Sequence, residues 1–362
     1  MFIACAVATL LLAVMTALPI SRSEVWWVRV LDFPRLQLAA LALVLLAVEL
    51  VALDRSSVAA WLLYAVGGLC LAWHAWWIIP FTPLVSVEVK DVQGKADADN
   101  ALCILTSNVL GSNRQSAKLL DLVRLHSPDI VVTLESNQWW QQQLDQLESD
   151  YPYTVKCPLE NLYGMHVYSR LPLGDTRIEY LVESQVPSIH CCVSLRSGQQ
   201  VTAHFLHPSP PTPQFSKQSS ERDAELVIVA KRVAQCDQPT IVAGDLNDVA
   251  WSSTTRLFRK LSGLLDPRVG RGVFNTFHAG WWFMRWPLDH LFHSAHFTLK
   301  ELRRLPSIGS DHFPLLAALQ FTPERAPEQD GLKADADDEA RGAAKQAQQQ
   351  VSAEDVPKPG AR

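Results

Sequence analysis

Cysteine is sparse and scattered in this chain, which excludes two kinds of framework. Seven cysteines in 362 residues, at irregular spacing, build neither a disulfide scaffold nor a zinc site. Cys5 and Cys70 lie in apolar runs and Cys103 in an expected strand, while the adjacent Cys191 and Cys192 must point to opposite faces of any strand. All read as small buried apolar residues. Basic excess is missing too. The formal net charge is −5, and residues 100–320 carry about twenty basic and about twenty acidic side chains. No strong field there favours polyanionic nucleic acid, although one basic groove on a neutral domain would escape this count. Much of the negative balance lies in the tail after about Phe321. Charge of either sign is nearly absent from the first 85 or so residues, which excludes an ordinary soluble domain there.

That segment holds three apolar runs instead: Phe2 to Ile20, Leu36 to Leu53, and Val58 to about Ile79. Each is near the ~20 residues that cross a bilayer core as helix. The first lacks the basic start of a secretory signal and two more runs follow, so it reads as a retained anchor. Trp26, Trp27, Trp61, Trp73, Trp76 and Trp77 cluster near the expected interfaces, as aromatic belts do. Arg22, Arg29 and Arg35 in the first loop favour a cytoplasmic loop and, with it, a cytoplasmic domain; a cytoplasmic N-terminus would instead export the domain. Glu49 and His74 lie near span ends by count, where snorkelling to the interface is cheap, with a functional role as the alternative.

Four segments follow from the composition: a membrane anchor of three transmembrane helices over 1–85, a polar linker over 86–100, a globular domain over 101–321, and a disordered tail over 322–362 with a transient helix near Ala340 to Val351. Within the domain, ALCILTS (Ala101–Ser107) and DIVVTL (Asp129–Leu134) read as buried strands. So do Met165–Tyr168, Ile189–Leu195, Val201–Leu206, Thr240–Ala243, Leu288–Phe292 and Leu315–Phe321. Ser112–His126, Gln138–Glu148, Ser219–Gln235 and Ser252–Leu261 have helical spacing. The alternation predicts a layered α/β-type domain with polar residues gathered at strand ends.

Those strand ends carry the chemistry. Asn108 follows LCILTS, Glu135 follows VVTL, His207 follows VTAHFL, Asp245 and Asn247 follow TIVAG, Asp289 follows RWPL, and Asp311-His312 follows SIGS. Each alone has an ordinary explanation. Asn108 can cap a turn, Glu135 the following helix, and Asp245 with Asn247 can form an Asx turn. Asp311-His312 can be plain loop. His204 and His207 face opposite sides of their strand, so His204 reads as a core or supporting group, as do His290, His293 and His296. Six such ends together fit a hard-metal phosphate site, because Mg²⁺ prefers carboxylate and amide oxygens, and hydrolysis needs a base and donors for phosphoryl oxygens.

Asn108, Leu134-Glu135, Gly164, Ser169-Arg170, His207-Pro208, Gly244-Asp245-Leu246-Asn247, Asp289-His290 and Ser310-Asp311-His312-Phe313-Pro314 occur in the order of a known family. This set closely resembles the endonuclease/exonuclease/phosphatase (DNase I-like) superfamily. The layout of spans followed by this domain is similar to bacterial membrane-bound members linked to glycopeptide resistance. The resemblance implies a four-layer sandwich of two packed mixed β-sheets flanked by helices, with the site at one edge. It implies Mg²⁺ or Mn²⁺ held by Glu135, Asn108 and Asp311. It also implies His312 orienting the phosphate or taking a proton from water, Asp245 and Asn247 positioning that water, and His207 held by Asp289 on the phosphate's other side. Similarity to the glycopeptide-resistance type favours an extracytoplasmic domain in a bacterial plasma membrane, against the loop arginines.

FHAGWWFMRWPL, between Thr276 and Asp289, is unusually aromatic for a surface connection. Trp281 and Trp282 are expected either to line an apolar substrate groove or enter lipid, or else to pack into the sandwich. The leading expectation is a membrane-anchored metal-dependent phosphoesterase acting on a phospholipid or polyprenyl phosphate, with the bilayer as its partner. A membrane-tethered Mg²⁺-dependent nuclease is the alternative enzyme, disfavoured by charge. A catalytically silent scaffold of the same fold is the alternative from outside enzymes.

Overall fold

The computed structural model describes residues 1–21, 23–95, 97–211 and 219–355. Arg22, one of the three orientation arginines, and the last seven tail positions lie outside the described residues. The chain opens with helices α1 (Phe2–Ala17), the short α2 (Trp26–Arg29), α3 (Arg35–Ala52) and α4 (Val58–Ile78). With flanking turns, three candidate spans run Phe2–Ser21, Arg35–Ala52 and Val58–Phe81, each long and apolar enough to cross a membrane. Leu10, Leu43 and Leu69 point outward, exposed, as lipid contact requires. Glu49 and His74 do not snorkel as expected. Both are buried between the helices, where Thr9 Oγ1 donates to Glu49 Oε1 at 2.5 Å and Thr16 Oγ1 lies 3.0 Å from His74 Nε2. A hydroxyl on the neighbouring helix supplies the partner that water would supply at the interface.

The domain is built from two sheets. The first contains β1 (Ala101–Asn108), β2 (Ile130–Leu134), β3 (Tyr153–Cys157), β4 (Met165–Ser169), β10 (Phe297–Arg304) and β11 (Leu315–Phe321). The second contains β5 (Leu173–Glu179), β6 (Ser188–Ser194), β7 (Gln200–Leu206), β8 (Thr240–Asp245) and β9 (Asp289–His293). Their orders are β10-β11-β1-β2-β4-β3 and β5-β6-β7-β8-β9. Each sheet holds one parallel pair, β1 with β2 and β7 with β8, and its other neighbours are antiparallel.

Side-chain alternation assigns the layers. Leu102 and Ile104 on β1 meet Val201, Ala203 and Ile241 of the second sheet in the central core. Leu105, one step out of phase, packs instead with Leu120 and Trp140 of α5 (Ser116–His126) and α6 (Gln138–Leu144). Helices α7 (Ser220–Ala234) and α8 (Ser253–Ser262) cover the outer face of the second sheet through Leu226, Phe258 and their neighbours. The result is the expected helix–sheet–sheet–helix sandwich.

The tail departs from the expectation of disorder. Pro323–Glu328 forms a 3-10 turn and Ala336–Asp355 a helix, α9, lying on α7 and α8. Charge pairing explains it. Asp338 receives Lys260 at 2.5 Å and Lys345 reaches Asp223 at 2.6 Å, so a stretch poor in apolar residues still has anchors. A further cluster joins anchor to domain: Phe81 and Trp251 meet edge to face, and the Trp251 indole donates to Asp32 O at 2.9 Å.

Candidate active site

Topology decides where the polar strand ends go. A parallel pair presents both C-terminal ends at one edge, so β1 and β2 deliver Asn108 and Glu135 together, and β7 and β8 deliver His207 and Asp245. β9 runs antiparallel to β8 with Asp289 opposite Asp245, and β11 antiparallel to β1 with Leu315 opposite Thr106. The residues just before β11, Asp311 and His312, therefore reach the same edge. Two glycines allow the crowding. A Cβ on Gly244 would lie 1.9 Å from Leu206 O, and one on Gly164 1.9 Å from Ser136 O. Glu135 and Asn247 hold left-handed backbone, with φ of 58° and 51°, a conformation costly for non-glycine residues and frequent at functional sites.

Asn108 is the hinge of the cluster. Its Nδ2 donates to Glu135 Oε1 at 2.8 Å and to Asp245 Oδ2 at 3.3 Å, joining the two sheets. Ser310 Oγ donates to the Asn108 carbonyl at 2.8 Å and so ties the segment carrying Asp311 to the same point. Asp245 Oδ1 accepts from the Asn247 amide at 2.9 Å, and the Asn247 side chain donates to Pro208 O at 2.9 Å. His312 Nδ1 donates to Asp289 Oδ2 at 2.8 Å, while its Nε2 faces Asp245 Oδ2 at 3.5 Å. His207 Nε2 lies 3.9 Å from the same Asp245 oxygen, and its ring tilts against Tyr163 with centroids 5.5 Å apart.

One pairing differs from the expectation. Asp289 holds His312, not His207. Asp289 sits opposite Asp245 across the β8–β9 ladder, and the His312 ring fills the space between the two carboxylates. The Asn108 amide turns its N–H groups toward the carboxylates, so ligating a cation would require the amide reversed. Ser310, quoted in the motif without a role of its own, supports the site, as do Thr276 and Tyr163, which were not singled out for it. Thr276 Oγ1 accepts from the Asp289 amide at 3.2 Å. Only adjacency to Gly164 could have marked Tyr163. His204 faces away from the site and meets His190 Nδ1 to Nδ1 at 2.7 Å, and His290 is fixed between Arg268 and Asp248 O.

Charge at the site follows burial. Burial opposes the His312 imidazolium, but Asp289 and Asp245 outweigh it and raise the ring to about 10. The His207 ring goes the other way, pushed down to about 3 by burial and then by His312. Burial resists ionisation of Asp289 too, yet the adjacent imidazolium keeps its carboxyl below the ordinary range. Asp245 is pushed up to about 7, by burial first and Asp289 next among the raising influences. Burial also raises Glu135, and the charge of Asp311 adds to it, which puts those two carboxylates in one electrostatic neighbourhood.

Among the described residues at this edge, two groupings could hold a cation. Asp245, Asp289 and His312 each bring one ligand atom within 4.8 Å of the others. In that group the His312 ring is already engaged with both acids, Nδ1 with Asp289 at 2.8 Å and Nε2 facing Asp245 at 3.5 Å. Glu135 with Asp311 is the all-oxygen alternative. Glu135 Oε2 is buried without a hydrogen-bond partner, the condition in which a carboxylate oxygen suits a hard divalent ion.

The tip of the aromatic segment does not pack into the sandwich, while Phe277 and Trp286 at its ends pack against Trp251 and Leu288. Trp281 and Trp282 are 54% and 79% exposed, and Phe283 and Met284 are exposed beside them. The segment is tied down at both ends. The Phe277 ring lies 4.9 Å from His312 and the Ala279 amide donates to Asp311 O at 2.6 Å, while Gln37, on the first turns of α3, donates to Phe283 O at 2.9 Å.

Comparison with known proteins agrees with this architecture. A family model described as "Endonuclease/Exonuclease/phosphatase family" matches residues 105–312, more than half of the chain. No curated protein sequence matches. D. rerio TDP2 complexed with a single strand DNA product is similar at a TM-score of 0.51 and 18% identity, over 61% of this chain and 100% of that one. The human Nocturnin catalytic domain with bound sulfate gives 0.50 and 16%, over 62% and 96%. At these identities the likeness is one of fold.

Proposed function

The chain belongs to the endonuclease/exonuclease/phosphatase family, and from that membership we propose a membrane-anchored, divalent-metal-dependent hydrolase of a phosphate ester carried by a membrane lipid or polyprenyl phosphate. One observation carries the substrate class. The aromatic segment 277–286, exposed over 280–284, bridges the catalytic edge, at His312 and Asp311, and the start of a candidate span, at Gln37. Indole rings at that level suit the head-group region, so a lipid-borne phosphate would meet Trp281 and Trp282 on its way to the site. The resemblance to membrane-bound members linked to glycopeptide resistance supports the same class.

Glu135 and Asp311 would hold the cation, with Asn108 orienting Glu135 or, with its amide reversed, joining them. Mg²⁺ or Mn²⁺, when bound there, supplies polarisation of a phosphoryl oxygen and charge compensation. The chain's own groups do the rest. Asp245, fixed by the Asn247 amide and the Asn108 side chain, accepts a proton from the attacking water. His312, kept protonated by Asp289, donates to a phosphoryl oxygen as negative charge builds. His207, neutral, offers a ring nitrogen on the opposite side. Water adds to phosphorus as its proton passes to Asp245, the P–O ester bond breaks, and the departing alkoxide takes a proton from solvent while Asp245 returns its own.

The purified full chain, in detergent, is expected to hydrolyse a lipid phosphate with Mg²⁺ and to lose that activity in EDTA, while leaving plasmid DNA uncut. DNA cleavage with no lipid turnover would replace this reading by the nuclease one, which the DNA-bound TDP2 fold suggests but the balanced charge does not favour. We also infer an extracytoplasmic domain. Arg29 and Arg35 are buried in ion pairs with Asp32, so a structural need, besides topology, accounts for them. An alkaline phosphatase reporter joined after Gly94 should be active; a silent one reverses the orientation.

A further inference from the structure

We infer a second phosphate site, for the head group of an anionic membrane lipid, in a cavity of about 480 Å³ where the spans meet α8 and α9. The inference rests on the three spans crossing a bilayer and is independent of the hydrolase reading, since no residue of the catalytic edge lines the cavity.

Its position comes first. Pro19 and Ile20 follow α1, Arg35 begins α3, and Trp73 and Trp77 occupy the last turns of α4, so the lining marks the level at which all three spans end on the domain side. That is head-group level.

Its chemistry is that of a missing acceptor. Trp73 Nε1, Trp77 Nε1, Arg29 Nε and Arg35 Nε are buried donors without a hydrogen-bond partner, and all four residues line the cavity. Orphaned buried donors are costly, and each of these four lacks an acceptor. Asp32, the one lining acid with an unpartnered buried oxygen, is already in ion pairs with Arg29 and Arg35.

Its charge selects an anion. The Arg35 and Arg256 guanidinium groups lie 5.0 and 5.7 Å from the Trp77 ring centroid. Among the described residues, Arg256 has no carboxylate partner, unlike Arg35, Lys260 and Lys345. Six basic against four acidic residues line the cavity. A phosphodiester fits the donors and the charge. Ile20, Leu257 and the tryptophan faces suit the first methylenes of its acyl chains.

The full chain in phosphatidylcholine nanodiscs, titrated with phosphatidylglycerol and followed by its melting temperature, tests this. Wild type should be stabilised saturably. Arg256→Gln should weaken the apparent affinity about five-fold, the factor for one basic residue at an anionic surface. Arg256→Lys should restore part of it, and Trp77→Phe, which keeps a ring but loses the N–H, should also weaken it. Arg124→Gln, an exposed arginine on α5 far from the lining, should match wild type. Equal phosphatidylglycerol affinity in wild type and Arg256→Gln overturns the site. Full stabilisation by soluble glycerol 1-phosphate in phosphatidylcholine discs overturns the lipid as its occupant.

Discussion

An imidazole between two buried carboxylates stays protonated only while both remain. Asp289 accepts from His312 Nδ1 at 2.8 Å, and Asp245 faces its other nitrogen at 3.5 Å. Asp289→Asn keeps the size and removes the charge, so the ring should lose its proton at a much lower pH and its alignment as well. The expected result is a fall of about 10²- to 10⁴-fold in kcat/KM, the usual worth of a positioned proton-transfer group, with an unchanged circular dichroism spectrum and a shifted pH–rate profile. A loss under ten-fold would remove His312 from the chemistry. This pairing was beyond sequence reading. The candidates Asn108, Glu135, His207, Asp245, Asn247, Asp289, Asp311 and His312 were legible because each ends or precedes an apolar strand. Which acid meets which imidazole depends on cross-strand register, Asp245 opposite Asp289, and no spacing along the chain encodes that.

Elements were legible where burial is uniform. β1, β2 and β8 are apolar runs buried over most of their length, and each was anticipated. β3, β5 and β10 were not. β5 is an edge strand with almost every residue facing solvent, so it carries no alternation. β10 has a register shift between Leu299 and Glu301, which breaks the period of two. β3 is five residues at the opposite edge of the same sheet as β10. The helix near Ala340 to Val351 was expected only as a transient one, and its docking escaped because its contacts are ionic, and hydropathy does not register them. The aromatic segment belongs to this scale as well. Replacing Trp281 and Trp282 together by Ser should reduce hydrolysis of a phosphate ester embedded in vesicles and leave that of a soluble ester unchanged, since neither ring touches the acids and imidazoles of the site. Equal losses on both substrates would make the segment part of the catalytic edge instead of a membrane contact.

At the scale of the molecule, buried ionisable groups set the pH range of stability from both sides. Burial holds His166 and His293 down at about 4, against 6.5 for an exposed imidazole. Between those values the unfolded chain binds more protons, so their contribution is complete above about pH 6.5 and is lost as pH falls toward 4. Glu225 acts in the opposite sense. It is buried on α7 with Oε1 unpartnered, and burial, then Glu183, pushes it up to about 8 from 4.5. Here the folded chain binds the extra proton, so this stability is present below 4.5 and lost as pH rises through 8. Glu225→Gln removes that dependence. Relative to wild type the variant should gain stability as pH rises from 5 to 8, by ~1.4 kcal/mol for each pH unit between the two pKa values. Thermal melts of the full chain at those two pH values check it, with acid destabilisation below pH 6.5 unchanged because the histidines are untouched. A variant that loses as much at pH 8 as at pH 5 would mean that Glu225 finds a cationic partner in the folded protein and is ionised there.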